Sequence, residues 1–367
     1  MRCFCRVPRA LFQEGSALGR GRRYAAASVA TLCIVSLVFA SGCGSHSGAR
    51  SAGHPSPSRA RNDLRPPRPS AAPPPSTRRD CFQHPNVCGY PDPTNTGVPP
   101  GTPLKSYEGD LRVTSPGAVI SDVSVQGTVE ILASDVTIKD SEVTTTQGNE
   151  GHNIWIGPGA GNVVIQDTTL RGADAHANAV QYSIQNSGDT TNKGIGLDMY
   201  NCTECWAGPG TLLDSYAIAN GVVAGAHYES IYYGGGGGSL VADHDTLLNP
   251  HDQTADVFTK TDFGDVATVS ITNNLMAGGG YMIYGGEDGS PSGVVGPVTV
   301  TDNRFARCLG ARVADRGGGH YCAGGADPHG YWPDGGQYGI AGDFNDAVTT
   351  WKDNYWDDDG SPVANPD

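Results

Sequence analysis

The chain has 367 residues and a net charge of −14, but that charge is unevenly laid out. Residues 1–80 hold thirteen of the 24 Lys and Arg with only Glu14, Asp63 and Asp80 among the acids, which leaves 11 basic against 35 acidic side chains from residue 81 onward. A segment that acidic excludes nucleic acid or an anionic lipid surface as a partner drawn in by its overall field. It would attract cations, although plain solvation of an acidic surface requires no site at all.

In chain order, the first element is an export signal. Arg20, Arg22 and Arg23 close a basic stretch, and the 19 residues from Tyr24 to Gly42 carry no charge. They end on Ala40-Ser41-Gly42-Cys43, which resembles the lipobox of bacterial lipoproteins. The resemblance implies a signal over residues 1–43, cleavage before Cys43 and lipidation of its thiol. An uncleaved anchor is the other reading, since an uncharged run of this length can just span a bilayer. Under both, the remainder faces outward, and the chain is expected on the outer side of the cell membrane or secreted. Residues 44–80 are rich in Pro, Ser, Ala and Arg and read as a linker unable to bury a core.

Once Cys3, Cys5 and Cys33 leave with the signal and Cys43 takes lipid, six cysteines remain in residues 81–367. They fall into three local pairs: Cys81 with Cys88, Cys202 with Cys205, and Cys308 with Cys322. Sequence proximity favours that pairing in an oxidising compartment. Cys202-Thr-Glu-Cys205 has the spacing of a redox motif or half a zinc site, but no second CxxC or thioredoxin-like pattern accompanies it.

From Val119 the chain repeats short alternating apolar runs that end on a polar residue: Asp140, Asp167, Asp214, His244, Asn273, Asp302 and Asp353. The separations are 27, 47, 30, 29, 29 and 51, so each long gap is expected to hide one unmarked coil. A period of about 25–30 with strand-like alternation is the pattern of a β-solenoid. Hairpin signals at sandwich or propeller spacing are missing. We therefore expect an all-β domain over residues 81–367, a single-stranded right-handed parallel β-helix of about nine coils.

With that repeat in place, four segments resemble secreted actinobacterial right-handed β-helix proteins over roughly residues 81–363. They are Cys88-Gly-Tyr-Pro-Asp-Pro-Thr-Asn-Thr-Gly, Gly225-Ala-His-Tyr-Glu-Ser-Ile-Tyr-Tyr, Leu248-Asn-Pro-His-Asp-Gln-Thr and Asn273-Asn-Leu-Met-Ala-Gly-Gly-Gly-Tyr. The resemblance implies the pectate-lyase-like fold. It implies no activity, because that fold hosts lyases, hydrolases, epimerases and inert adhesins.

Residues 225–290 concentrate acids, histidines and tyrosines. Taking Ile231, Phe258 and Ile283 as equivalent inward positions stacks Glu229 on Asp256 on Tyr281, and places Tyr232, Thr259 and Tyr284 outward. Two carboxylates on adjacent coils must share a proton or a cation, as in a retaining glycosidase or a Ca²⁺ site. His227, His251 and Lys260 are candidate bases, Lys260 being the choice for a lyase. Tyr228, Tyr232, Tyr284 and Gln253 are candidate sugar contacts. Tyr321, Tyr331 and Trp332 would wall one end of the groove. Polar ladders that only satisfy backbone groups would look much the same in sequence. The expected function is that of an exported, monomeric carbohydrate-active protein, a polysaccharide lyase or glycoside hydrolase, with Ca²⁺ as the one cofactor suggested. The alternative is a non-catalytic module that binds cell-wall or other polysaccharide.

Overall fold

The computed structural model describes residues 81–146, 151–251, 253–285, 296–306, 339–342 and 348–365. The chain divides into two units, Met1–Asp63 and Leu64–Asp367, and all described residues belong to the second. The expected signal, Cys43, the linker, the Cys308–Cys322 pair and the aromatic residues at 321, 331 and 332 lie outside the described residues. Among those described, no helix is long and apolar enough to cross a membrane.

The fold is a right-handed parallel β-helix. Three parallel sheets hold ten, nine and nine strands, and consecutive strands of each sheet come from successive coils. The first sheet begins at Lys105–Glu108, the second at Leu111–Val113 and the third at Val119–Ser121. Each coil visits the three in that order and then turns sharply back into the first.

That turn explains the repeat. Asp122, Asp140, Asp167, Asp214, His244, Asn273, Asp302 and Asp353 all sit there with φ between 46° and 59°. Asp and Asn tolerate this left-handed backbone because their short polar side chains bond locally. Gly196, at φ 63°, fills the same turn in the gap of 47, so that gap does hold an unmarked coil. The gap of 51 does not. Arg304–Phe305, Gly339–Gly342 and Thr349–Lys352 are the three strands of one coil, lengthened by the segment between its first and second strands.

From Ser215 onward the residue after each turn forms a ladder up the corner. The side-chain oxygens of Ser215, Asp245, Asn274, Asn303 and Asn354 each accept the backbone N–H one coil earlier, at 2.7–3.0 Å. The Asn amides then donate to the main-chain carbonyls of Ala242, Ile271 and Val300. Inside, like residues stack on like: Ile154, Ile184, Trp206, Ile231, Val257 and Ile283 occupy one column of the second sheet. Trp206 fits because Gly194 is opposite it; a Cβ there would lie 3.0 Å from the indole.

The segment leading into the helix covers the outer face of the first sheet, where Phe82 and Tyr90 pack with Tyr216, Leu248 and Leu275. Asp357, paired with Arg304 at 3.2 Å, accepts the N–H groups of Cys81 and Phe82. The disulfides Cys81–Cys88 and Cys202–Cys205 form as expected, with Cα separations of 5.6 and 5.3 Å.

Asp245 breaks the ladder's chemistry. Where Asn274, Asn303 and Asn354 carry a donating amide, it has an oxygen, Oδ2, that is buried without a partner. Burial, together with Asp214 and Asp243, holds its carboxyl well above the usual range. A folded value above the unfolded one means stability is fully present below the unfolded pKa and is lost as pH rises through the folded one. Asp245→Asn supplies the missing donor. It should stabilise the fold at pH 8 by about 1–3 kcal/mol, the cost of one unsatisfied buried group, with a much smaller gain at pH 4. Thermal unfolding at the two pH values measures the difference.

Candidate functional site

From His152–Ile156 to Ala255–Thr259 the strands of the second sheet lose their alternation at a bend, and two successive columns are buried. Asn153, Ser183, Cys205, Ser230 and Asp256 are buried in the first of these, beside the Ile154–Ile283 column. The position before the bend is the interesting one. There Tyr182 pairs with His152 on one side and with Glu204 on the other, and Glu204 pairs with Glu229.

This register differs from the expected one by a single residue. Ile231 faces Val257 rather than Phe258, so Asp256 falls beside Ser230 and not beside Glu229. Phe258 turns outward and pairs with Tyr232 and Tyr284, a position the sequence reading assigned to Thr259. Val257 and Phe258 are both apolar, and alternation alone cannot say which of the two points inward. The partner of Glu229 is therefore Glu204. The proposed Glu229–Asp256 pair, and a Ca²⁺ ion held by those two acids, lose their geometric basis. Among the described residues, no group of three or more His, Cys, Asp and Glu side chains could hold a metal ion.

Glu204 and Glu229 sit on adjacent strands, with backbones about 4.8 Å apart. Both are almost fully buried, at 6% and 0% exposure. Burial holds the Glu204 carboxyl up at about 7, and the Gln181 amide, donating to Oε1 at 3.2 Å, draws it part of the way down. Glu229 is held well above the carboxylate range, first by burial and then by repulsion from Glu204. Neither of its oxygens has a hydrogen bond of ordinary geometry; the Thr254 hydroxyl offsets only part of the burial. Burial raises the phenols of Tyr182 and Tyr232, and both glutamates add to the shift, so they remain neutral O–H groups.

On the two coils that follow Glu229, Thr254, Phe258, Lys260, Asp262, Tyr281 and Tyr284 line an open cleft of about 370 Å³. Tyr232, Phe258 and Tyr284 stack in line at centroid distances of 5.2 and 5.6 Å, and the Lys260 ammonium lies 4.4 Å from the Tyr284 ring centre. Thr254 is the one β-branched residue with positive φ among those described, at 55°; every other such residue except glycine is Asp, Asn or His. A backbone held in that region by a β-branched residue stores strain of a kind that clusters at functional sites.

Of the residues singled out in sequence, Tyr284 and Lys260 line this cleft, Tyr232 stacks on its Phe258, and Glu229 is fully buried outside its lining. His227 and Gln253 are exposed in the turns that precede their strands. Tyr228 bonds through its hydroxyl to the main chain of Val223 and stacks on His251 at 3.8 Å, closing the same turns. None of these four is among the residues lining the cleft. Asp256 is enclosed near the Ser230 hydroxyl and the Ala277 amide, its carboxyl raised by burial. Sequence reasoning missed Glu204, Gln181, Tyr182, Phe258 and Asp262. Glu204 lies between Cys202 and Cys205, and its place within that CxxC spacing is the signal that could have marked it.

No protein-family model matches the chain, and no curated protein matches it. Among solved structures, the chain is similar to a tailspike protein described as the Dettilon tailspike protein. The identity is 14%, over 55% of this chain and 44% of that one, with a TM-score of 0.34. The chain thus spans less than half the length of that protein, and the functional reading comes from its own residues.

Both glutamates have folded pKa values above their unfolded ones. Their contribution to stability is present below the ordinary carboxylate range and is lost as pH rises through 7 and beyond. The double variant Glu204→Gln/Glu229→Gln should therefore show a flatter profile of melting temperature between pH 5 and 9 than the parent, with its gain concentrated at the alkaline end.

Proposed function

We propose that this chain is an exported glycoside hydrolase that cleaves a glycan at the Glu204–Glu229 pair. The observation that carries the reading is the pairing itself. Two buried carboxyls on adjacent coils, with pKa values pushed apart, lie within the coils that precede an aromatic cleft. A neighbouring-strand spacing of about 4.8 Å is closer to the roughly 5–5.5 Å carboxyl separation of retaining enzymes than to the roughly 6.5–9.5 Å of inverting ones.

The environments divide the roles. Gln181 supports the ionised form of Glu204, which fits it to be the nucleophile; Glu229, the more strongly raised of the two, fits the proton donor. In the first step Glu204 forms a bond to the anomeric carbon as the glycosidic C–O bond breaks, and Glu229 gives its proton to the departing oxygen. In the second, water attacks the same carbon, Glu229 takes the water's proton, and the bond to Glu204 breaks. The acidic surroundings, with Asp262 close enough to act on the Tyr232 phenol, favour a neutral sugar chain over a polyanion. Export through a lipid-modified Cys43, and kinship with secreted actinobacterial β-helix proteins, belong to this proposal. They are supported by the residues of the N-terminus and the four similar segments.

Assay of a panel of neutral polysaccharides and aryl glycosides should find activity that EDTA leaves unchanged. Glu204→Gln and Glu229→Gln should each lower kcat by at least about a thousandfold without loss of fold. The rate should fall on the acid side with a midpoint of about 7, as Glu204 takes up a proton. Full activity in both variants would sink the proposal. Binding of a glycan without cleavage by the parent protein would make the chain a binding module instead.

A further inference from the structure

The column of side chains that flanks the carboxyl pair runs through six coils in unbroken register: Trp155, Gln185, Ala207, Tyr232, Phe258 and Tyr284. Glu204 precedes Ala207 by three residues in its strand, and Glu229 stands in the same relation to Tyr232. The pair thus lies at the middle of the column. Trp155 is two coils away from Ala207 on one side, and Tyr284 two coils away from Tyr232 on the other. From end to end the column extends about 24 Å, at about 4.8 Å per coil.

We infer that this column is a track for an extended neutral glycan and that the enzyme cuts inside the chain rather than at its ends. The inference rests on the hydrolase reading above. Three features support it. Aromatic rings lie on both sides of the pair, so sugars can stack before and after the scissile bond. Trp155 is anchored through its indole N–H to Ser187 at 3.2 Å, leaving the ring half-exposed beside His152. At the middle, Ala207 is the smallest side chain of the column, three residues along the strand from Glu204, where a ring of the glycan needs room.

A wall beside the track carries a further aromatic. Phe263 is 74% exposed, the most exposed large apolar side chain among those described. It lies against Gly234, where a Cβ would come within 2.9 Å of the Phe263 ring and 2.6 Å of the Tyr232 hydroxyl. Gly234 is thus what lets Phe263 stand beside Tyr232. An exposed phenylalanine held next to a stacking tyrosine offers a second face to a sugar ring.

The test uses the full exported chain, soluble neutral polysaccharides and a matching series of oligosaccharides. If the track is right, the parent enzyme releases oligosaccharides first and lowers viscosity well before reducing ends accumulate. Trp155→Ala and Tyr284→Ala should each lower kcat/KM on polymer by about tenfold or more, with a loss that shrinks as the substrate shortens. Trp155→Phe should restore most of it, which a merely structural role would not do. Release of monosaccharide from the outset, or losses independent of substrate length, would overturn the inference. Calorimetric binding of a hexasaccharide to the Glu204→Gln variant separates this claim from the hydrolase reading. Affinity that falls in the added Trp155→Ala background supports the track even if the parent cleaves nothing, and no binding overturns it.

Discussion

Parallel stacking at one fixed spacing is the constraint on which everything else here depends. Each coil is too thin to bury its own apolar residues, and it can only do so by placing each strand against its equivalent above and below. That requires the chain to return to the same position at the end of every turn. The left-handed corner and the ladder behind it provide the return. One residue at φ near 55° reverses the chain, and the next passes a hydrogen bond to the neighbouring coil. Wherever the ladder is kept, insertions elsewhere in a coil are tolerated, and the coil between Arg304 and Lys352 absorbs a long one without losing register.

The same constraint creates the candidate site. In a parallel stack, equivalent residues meet at strand spacing whatever their charge, so two glutamates in register are forced together. In water such a pair would simply splay apart. Here, walled by Tyr182 and Tyr232 and almost closed to solvent, the two carboxyls cannot both be ionised without a large penalty. The fold thereby converts a repeat into a pair of carboxyls that raise one another, set one position ahead of the buried columns of the core. Cys202 and Cys205 are both buried in the core, and the bond between them spans Thr203 and Glu204.

The architecture was legible because its signal is periodic. The seven polar anchors read from sequence are all left-handed corner residues, and alternation around them marks the strands. What could not be read was phase within a coil. The step from Ile231 to its partner is 26 residues rather than 27, and Val257 and Phe258 satisfy an apolar position equally well. That single residue moved Asp256 away from Glu229. Glu204 was overlooked for a related reason. Its coil is shorter, with 25 residues separating it from Glu229, and it sits at a bend where alternation fails. The buried polar ladder, by contrast, leaves a plain sequence mark, a polar residue directly after every corner except Asp122 and Gly196, and Asp245 stands out only once the three positions that follow it in the ladder are seen to be asparagines.

The central claim is that Glu204 and Glu229 form one coupled titrating pair. Carbon-13 NMR of carboxyl-labelled glutamate, with the two signals assigned from the Glu204→Gln and Glu229→Gln variants, tests it without any substrate. The account predicts a midpoint of about 7 for Glu204 and a higher one for Glu229, with the Glu229 midpoint falling when Glu204 is replaced. Two independent titrations in the ordinary carboxylate range, each indifferent to loss of the other, would contradict it.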